Sequence, residues 1–363
     1  MRFTPKNALL GRFRDWTGLV ILAAVLLAAP AVLTDFRLDL LGKYVCYAIV
    51  AIGIGLAWGK GGMLVLGQGV YFGIGGYAMA MHLKLSDAGP GGVPDFMQLY
   101  GDGRLPWWWE PFRNPALTMI AIVLVPSLLA AALGYATFSR KVRGAYFAIL
   151  SQALAAAFAI FLIGNQVSTG GTNGLTNFRS FFGYDLYDPA NRLMLYLIAV
   201  GVLLAAVIGY RQLTASRYGE LLVACRDAED RVEFLGYSPA MIKTTGYVIA
   251  ALLASVGGAL FVPIVGIISP ADVGIVPSVG LVIGVAIGGR NSLFGPVLGA
   301  IVVAWAETSL SEQFPSAWTY AQGLMFMIVV AFLPGGLASI GAVAWLRSLP
   351  GRLRRDATER EAV

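Results

Sequence analysis

The stretch 244-TTGYVIAALLASVGGALFVPIV-265 runs for 22 residues without a charged side chain. A helix rises 1.5 Å per residue, so about 20 apolar residues cross the hydrocarbon core of a bilayer. Strands of a membrane barrel would instead alternate apolar and polar over about ten residues. This stretch does not alternate and predicts a transmembrane helix. The same texture recurs on both sides of it. Upstream lie Thr17–Leu33, Leu40–Trp58, Gly61–Leu83, Pro115–Phe138, Ala145–Gly164 and Leu193–Tyr210; downstream lie Ile275–Gly288, Ser292–Leu310 and Trp318–Trp345. The chain therefore reads as an all-α polytopic integral membrane protein with about ten transmembrane helices. Of its residues 58% are hydrophobic and 13% charged, against roughly half and a quarter in soluble domains. That balance excludes a disulfide-stapled secreted domain, a disordered chain and an ordinary cytosolic enzyme.

Two places lower the count towards eight. The eighth and ninth spans are short and joined by a tight turn at Gly288-Gly289-Arg290-Asn291, so they could form a hairpin that does not fully cross. The third is rich in glycine and could be broken. The first span follows a basic start containing Arg2, Lys6, Arg12 and Arg14, and Ala29-Pro30-Ala31 could pass for a signal cleavage site. Its apolar run is longer than a signal peptide needs, and it is read as a retained first helix.

Lys and Arg set the orientation. With the amino terminus inside and ten spans threaded, the outside segments hold only Arg37, Lys43, Lys84, Arg104, Arg113, Arg179 and Arg192 of the 26 Lys and Arg residues. The positive-inside rule then places both termini in the cytoplasm. Residues 1–16 are a basic cytoplasmic start, 17–346 one transmembrane domain, and 347–363 a basic cytoplasmic tail. Within the domain, 86–114 and 165–192 are outside loops and 211–243 is a long inside loop. The net charge of +6 needs no nucleic-acid partner, because inside loops of membrane proteins collect basic residues. Trp107-Trp108-Trp109, just ahead of a span, suits anchoring at the headgroup layer of the lipid bilayer.

Cys46 and Cys225 make no disulfide framework and are expected as free thiols, and the lone His82 is expected at an interface. GxxxxGK[ST], GxSxG, HExxH and CxxC do not occur, so no enzyme or metal site is visible. No relay of carboxylates crosses the membrane, which argues against a proton-driven pump.

Small residues recur at helical spacing in Gly280/Gly284/Gly288, Gly69/Gly73/Gly76, Ser151/Ala155/Ala159 and Gly295/Gly299. Such stripes let helix backbones approach closely in lipid; they serve bundle packing or a moving helix interface. Gln68, Ser151 and Gln152 are polar residues inside spans, where each needs a partner or a wet cavity. Gln68 and Gln152 read equally as packing glue and as pathway lining. Glu307, near the outer end of the ninth span, suits snorkelling to the surface. The segment 211-RQLTASRYGELLVACRDAEDRVEFLGYSPAMIK-243 differs from all other loops. Tyr218–Leu235 has a small apolar stripe among many charges, and Gly236 ends it as a helix C-terminal glycine would. Its chemistry suits docking of a soluble partner or a solvated loop.

These segments together resemble the permease subunits of the branched-chain amino-acid family of ABC importers, and within it the second permease of urea importers. The resemblance rests on Gly61-Gly62-Met63-Leu64-Val65-Leu66-Gly67-Gln68-Gly69 leading to Gly75-Gly76-Tyr77, and on Arg143-Gly144-Ala145-Tyr146-Phe147-Ala148-Ile149. It continues through Thr169-Gly170-Gly171 with Gly174-Leu175, Arg226 to Gly236 with Lys243, Gly257-Gly258-Ala259-Leu260, and Gly288-Gly289 with Gly295-Pro296-Val297-Leu298-Gly299-Ala300. These cover roughly Leu40 to Leu337. Val65 departs from the Ser of the broader family, and the urea subtype rests on Gln68-Gly69 and on Pro106-Trp107-Trp108-Trp109.

The resemblance implies a permease in the bacterial inner membrane that forms half of a heterodimeric pore with a second permease subunit. Two cytoplasmic ATP-binding subunits would hold ATP and Mg, so this chain carries no cofactor of its own. A periplasmic binding protein would deliver substrate to the outside loops. Glu229, Arg231, Gly236 and Lys243 fall in the family's ATPase coupling loop. Urea is neutral and planar, and a route for it asks for amide and hydroxyl partners. Gln68, Ser151 and Gln152 offer these, with Tyr71 and Phe72 as walls. Import of branched-chain amino acids or short amides is the alternative. A passive channel for small neutral solutes and an ion-coupled transporter are more distant ones, and a membrane enzyme more distant still.

Overall fold

The computed structural model describes residues 5–142 and 144–313, with Tyr320, Gly323, Leu324 and Met327 beyond them. Within that range the chain is a bundle of helices. In order they are α1 (Pro5–Val32), α2 (Asp35–Ile54), α3 (Gln68–Ala88), α4 (Asp95–Tyr100), α5 (Pro115–Phe138), α6 (Ala145–Gly164) and α7 (Gln166–Thr169). Then follow α8 (Pro189–Thr214), α9 (Arg217–Phe234), α10 (Pro239–Val265), α11 (Pro270–Val273), α12 (Ile275–Gly288) and α13 (Gly295–Gln313). Four two-residue strands form two small ladders: β1 (Leu175–Thr176) pairs antiparallel with β4 (Ile267–Ile268), and β2 (Ser180–Phe181) with β3 (Tyr184–Asp185).

Among the described residues five helices are long and apolar enough to cross a membrane: α2 with its extension to Lys60, α5, α6, α8 and α10. Helix α3 is not among them, yet it lies at the centre, with Val70, Tyr71, Phe72, Met79 and Met81 nearly inaccessible. A helix covered by protein on all sides needs no continuous lipid-facing surface, so glycines and tyrosines can replace leucines. Its glycines let it meet α10 backbone to backbone. A Cβ at Gly75 would overlap the Ser255 carbonyl oxygen, and one at Gly258 the Phe72 carbonyl oxygen. Helices α2, α3 and α10 form the core, while α5 and α6 turn most of their apolar side chains outward.

Several expected boundaries move. The third span is broken: Gly61–Gly67 is not helical, and the helix runs from Gln68 to Ala88 rather than from Gly61 to Leu83. The helices that flank the expected loop 211–243 extend into it. Helix α8 continues to Thr214, and α10 begins at Pro239 behind Ser238, whose hydroxyl accepts from the Met241 amide. Hydropathy marks where a helix leaves apolar surroundings, whereas capping and backbone hydrogen bonds decide where it ends. Helix α12 has 14 residues, about 21 Å at 1.5 Å per residue, short of the roughly 30 Å hydrocarbon core. With α13, which begins at Gly295 rather than Ser292, it forms a tight hairpin. The expected tenth span, Trp318–Trp345, lies outside the described residues except at Tyr320, Gly323, Leu324 and Met327. The tail 347–363 lies outside them entirely.

At the end of the bundle away from α9, the loops 86–114 and 165–192 interlock. The Trp109 indole donates to the Ser168 carbonyl at 2.9 Å, and the Asp87 carboxylate accepts from the Arg179 and Ser180 amides. His82 is not exposed at an interface but buried: its Nδ1 lies 2.8 Å from the Phe112 carbonyl oxygen, and its ring packs on Phe182. Trp107 and Trp108 remain exposed.

Candidate functional site

The break between α2 and α3 is built from glycine. Helix α2 widens into a π-helical turn, Gly55–Lys60, and the chain then turns at Gly62, whose φ is +67°. That left-handed conformation favours glycine, since a Cβ strains it. A Cβ at Gly62 would also lie 2.6 Å from the Arg226 Cγ. Non-helical backbone inside a membrane bundle must find partners for its freed amides. Two serines from distant helices bond amides here, one in the break and one in the first turn of α3. Leu66 N–H donates to Ser151 Oγ on α6 at 3.1 Å, and Gly69 N–H donates to Ser278 Oγ on α12 at 3.1 Å. Each hydroxyl passes its own proton back to its helix, Ser151 to the Ala148 carbonyl and Ser278 to the Gly274 carbonyl. A Cβ at Gly67 would overlap the Ser151 carbonyl oxygen, and one at Gly69 the Val273 carbonyl oxygen. Glycine is what lets both helices close on the break.

Gln68 lies between these anchors, at the first residue of α3. It is fully buried, and neither its Nε2 nor its Oε1 makes a hydrogen bond among the described residues. An unpaired amide in apolar surroundings costs about 1–3 kcal/mol in protein mutational data. Of the other polar residues singled out in the sequence, Ser151 is satisfied as an anchor of the break. Gln152, one residue on, is half-buried and makes no described hydrogen bond.

Tyr71 and Phe72 join two different aromatic clusters. Tyr71 donates to the Tyr247 hydroxyl of α10 at 2.8 Å, and Phe138 and Phe147 meet the Tyr247 ring edge-on. Phe72 packs between Tyr47 and Phe261. Both are fully buried.

Below the break lies α9. It bends at Ala228, whose φ of −151° and ψ of 67° interrupt the helix. The bend, the Gly61–Met63 turn and the Phe138–Phe147 corner enclose a cavity of about 350 Å³. Arg226 ties α9 to the break, donating to the Gly59 carbonyl at 2.7 Å while its Nε binds Asp227. Hydrogen bonding to that guanidinium holds the Asp227 carboxyl below its ordinary range. Glu229 and Lys243 form a 2.7 Å ion pair with both side chains 11% exposed, which braces the bend against the start of α10. Arg231 and Gly236 are exposed, and Gly236 has the positive φ of a helix-ending residue, +86°. Burial pushes the Cys225 thiol up, with Lys243 opposing, so this free cysteine stays protonated. The sequence reading passed over Phe234, Leu235, Tyr237 and Met241, which expose apolar surface just beyond the bend; Phe234 is 91% exposed. Their signal was an apolar FLGY run closing a charged helix. Ser278 and Tyr247 were also passed over, because one polar group in an apolar run does not name its partner.

The glycine stripes hold close contacts. A Cβ at Gly288 would overlap the Gly295 carbonyl oxygen, and one at Gly299 the Gly284 carbonyl oxygen. Gly280 is half-buried. Gly73 faces Val273 and Phe158, at 2.7 and 3.0 Å from an added Cβ.

This chain belongs to the family described as the branched-chain amino acid transport system permease component, whose pattern matches residues 36–333. It is thus a polytopic membrane permease, one component of a transport system. It is 26% identical over 342 residues to the high-affinity branched-chain amino acid transport system permease protein LivM of Salmonella typhimurium strain LT2. It is equally similar, 26% over 344 residues, to LivM of Escherichia coli K12. Each alignment covers 88% of this chain and 74% of the relative. No solved structure matches.

Proposed function

We propose that this chain is the transmembrane permease subunit of an ATP-driven ABC importer in a bacterial inner membrane, and that its cargo is urea. It forms half of the translocation pathway beside a second permease subunit. Two cytoplasmic ATP-binding subunits supply ATP, Mg²⁺ and the power stroke, and a periplasmic binding protein delivers cargo. The exposed apolar edge at Phe234, Leu235 and Tyr237 next to the α9 bend suits an ATP-binding subunit's docking groove. The Glu229–Lys243 pair would keep that edge rigid against α10.

The cargo reading is carried by the unpaired Gln68 carboxamide at the helix break. A carboxamide donates and accepts at once, which matches the paired N–H and C=O of urea. No buried ion pair accompanies Gln68 among the described residues, so a separate carboxylate and ammonium would find no charged partner there. Branched-chain amino acids or short amides are the second reading, the former favoured by the names of the LivM relatives.

ATP-driven uptake by the reconstituted complex, with its binding protein, decides between them. Urea-stimulated uptake that falls at least tenfold in Gln68→Ala supports the proposal. Stimulation by leucine but not urea replaces the cargo with amino acids. Urea uptake unaffected by Gln68→Ala removes Gln68 from the route.

A further inference from the structure

A second cavity, of about 230 Å³, lies at the end of the bundle opposite α9, where α2 begins, α8 begins and α10 ends. Asp39, Asn177 and Arg192 are among the polar residues that line it. Arg192, in the first turn of α8, donates through Nε to the Leu186 carbonyl and through Nη1 to Asp39 Oδ2 at 3.2 Å. Its Nη2 and the second Asp39 oxygen have no partner among the described residues, and both side chains stay partly exposed, at 40% and 34%. The α8 end carries the positive pole of its helix and Arg192 adds to it. Facing it are Pro263, Ile264 and Val265, the last residues of α10. A helix ends in carbonyls that lack intrahelical partners and form its negative pole. Asp39 sits on the α2 side of the same cavity. A guanidinium and a carboxylate, bonded to each other, thus line the cavity beside the last residues of α10. Leu38, Phe178 and Leu195 add apolar surface beside Asn177.

That polarity fits a zwitterion carrying an anionic oxygen group and a primary ammonium a few bonds apart. The surroundings select its source. The α1–α2 turn next to the cavity exposes Val32 and Phe36, at 82% and 68%, and α8 exposes Leu197 and Ile198 below it. Tyr187 lines the cavity and is itself exposed, as aromatic residues are at a headgroup layer. Exposed apolar side chains on these helices suit acyl chains.

We propose that this cavity binds the phosphoethanolamine headgroup of a membrane phospholipid, with the phosphate at Arg192 and the ammonium at Asp39 and the α10 carbonyls. The site is distinct from the helix break and does not depend on which cargo is carried.

The test reconstitutes the full chain in nanodiscs of equimolar phosphatidylethanolamine and phosphatidylglycerol and counts retained lipids by native mass spectrometry. The wild-type chain is expected to keep phosphatidylethanolamine at least fivefold over phosphatidylglycerol. Two variants separate the site from folding. Asp39→Asn keeps the side-chain shape but removes the anion facing the ammonium. The double swap Asp39→Arg with Arg192→Asp keeps an ion pair but reverses the polarity. Loss of the preference in a folded variant supports the site. Equal retention of both lipids by the wild type overturns it, as does an undiminished preference in either folded variant. Displacement of the lipid by millimolar leucine would assign the cavity to a soluble zwitterion and overturn the lipid assignment.

Discussion

Arg226 Nη1 donates to the Gly59 carbonyl at 2.7 Å although 167 residues separate them in the chain. The bond joins the bend of α9 to the π-helical turn that ends α2, directly before the break that leads to Gln68. The bond thus links α9 to the break without an intervening loop.

Removing that link should be costly. Hydrogen bonds from charged groups contribute about 1.5–3 kcal/mol, and Arg226→Ala is expected to lose that amount with its packing beneath Gly62. Chemical unfolding of the detergent-solubilised full chain reads the change. An unaltered midpoint would mean the bond is not formed.

Tyr71 and Tyr247 should behave as a coupled pair. Either single change to Phe leaves a buried hydroxyl without its partner and is expected to cost about 1–3 kcal/mol. The double variant removes both groups and should lie near the wild type. A double-mutant cycle with no coupling would contradict the bond.

The α12–α13 hairpin tolerates no added volume at Gly288. Gly288→Ala is expected to destabilise by about 1–3 kcal/mol or more, as overpacking does. Gly201→Ala, where an added Cβ meets nothing within 4 Å, should stay within about 0.5 kcal/mol of the wild type. Thermal unfolding of the two side by side checks the contrast.

Acid should loosen the 86–114 loop. Burial alone would raise the Asp95 carboxyl, but the hydrogen bond and charge of Lys84 outweigh it and leave it below its ordinary value. In the window between the folded and unfolded values the unfolded loop binds more protons, so stability rises with pH. The contribution is present above about pH 4 and is lost as pH falls through the lower folded value. Acrylamide quenching of the loop tryptophans should rise over that window in the wild type. It should be flat in Lys84→Met, and a flat wild-type curve would refute the ion pair's role.

Much of this protein could be read from local sequence. Long uncharged runs announce membrane helices wherever they occur, because the hydrophobic length of a bilayer is fixed. The close-packed glycines of α12 and α13 declared themselves by spacing, because i and i+4 share a helix face. Gly236 ended α9 where a positive φ was required, and Gln68 stood out as a polar residue in an apolar span. The roles of the polar residues were not local. Ser151 was singled out by polarity alone, whereas its bond to the Leu66 amide, 85 residues away, was not visible locally. Ser278 went unnoticed, although it holds Gly69 across 209 residues. Within the non-helical stretch Gly61–Gly67 the Leu66 amide bonds to a serine of α6, and nothing within the segment names that partner. The same is true of Asp39 and Arg192, 153 residues apart. Hydropathy and periodicity, being properties of neighbours in the chain, determined the class of fold and most of its helices. Which polar groups are satisfied, and which remain open to a ligand, was decided only when the tertiary structure brought distant helices together.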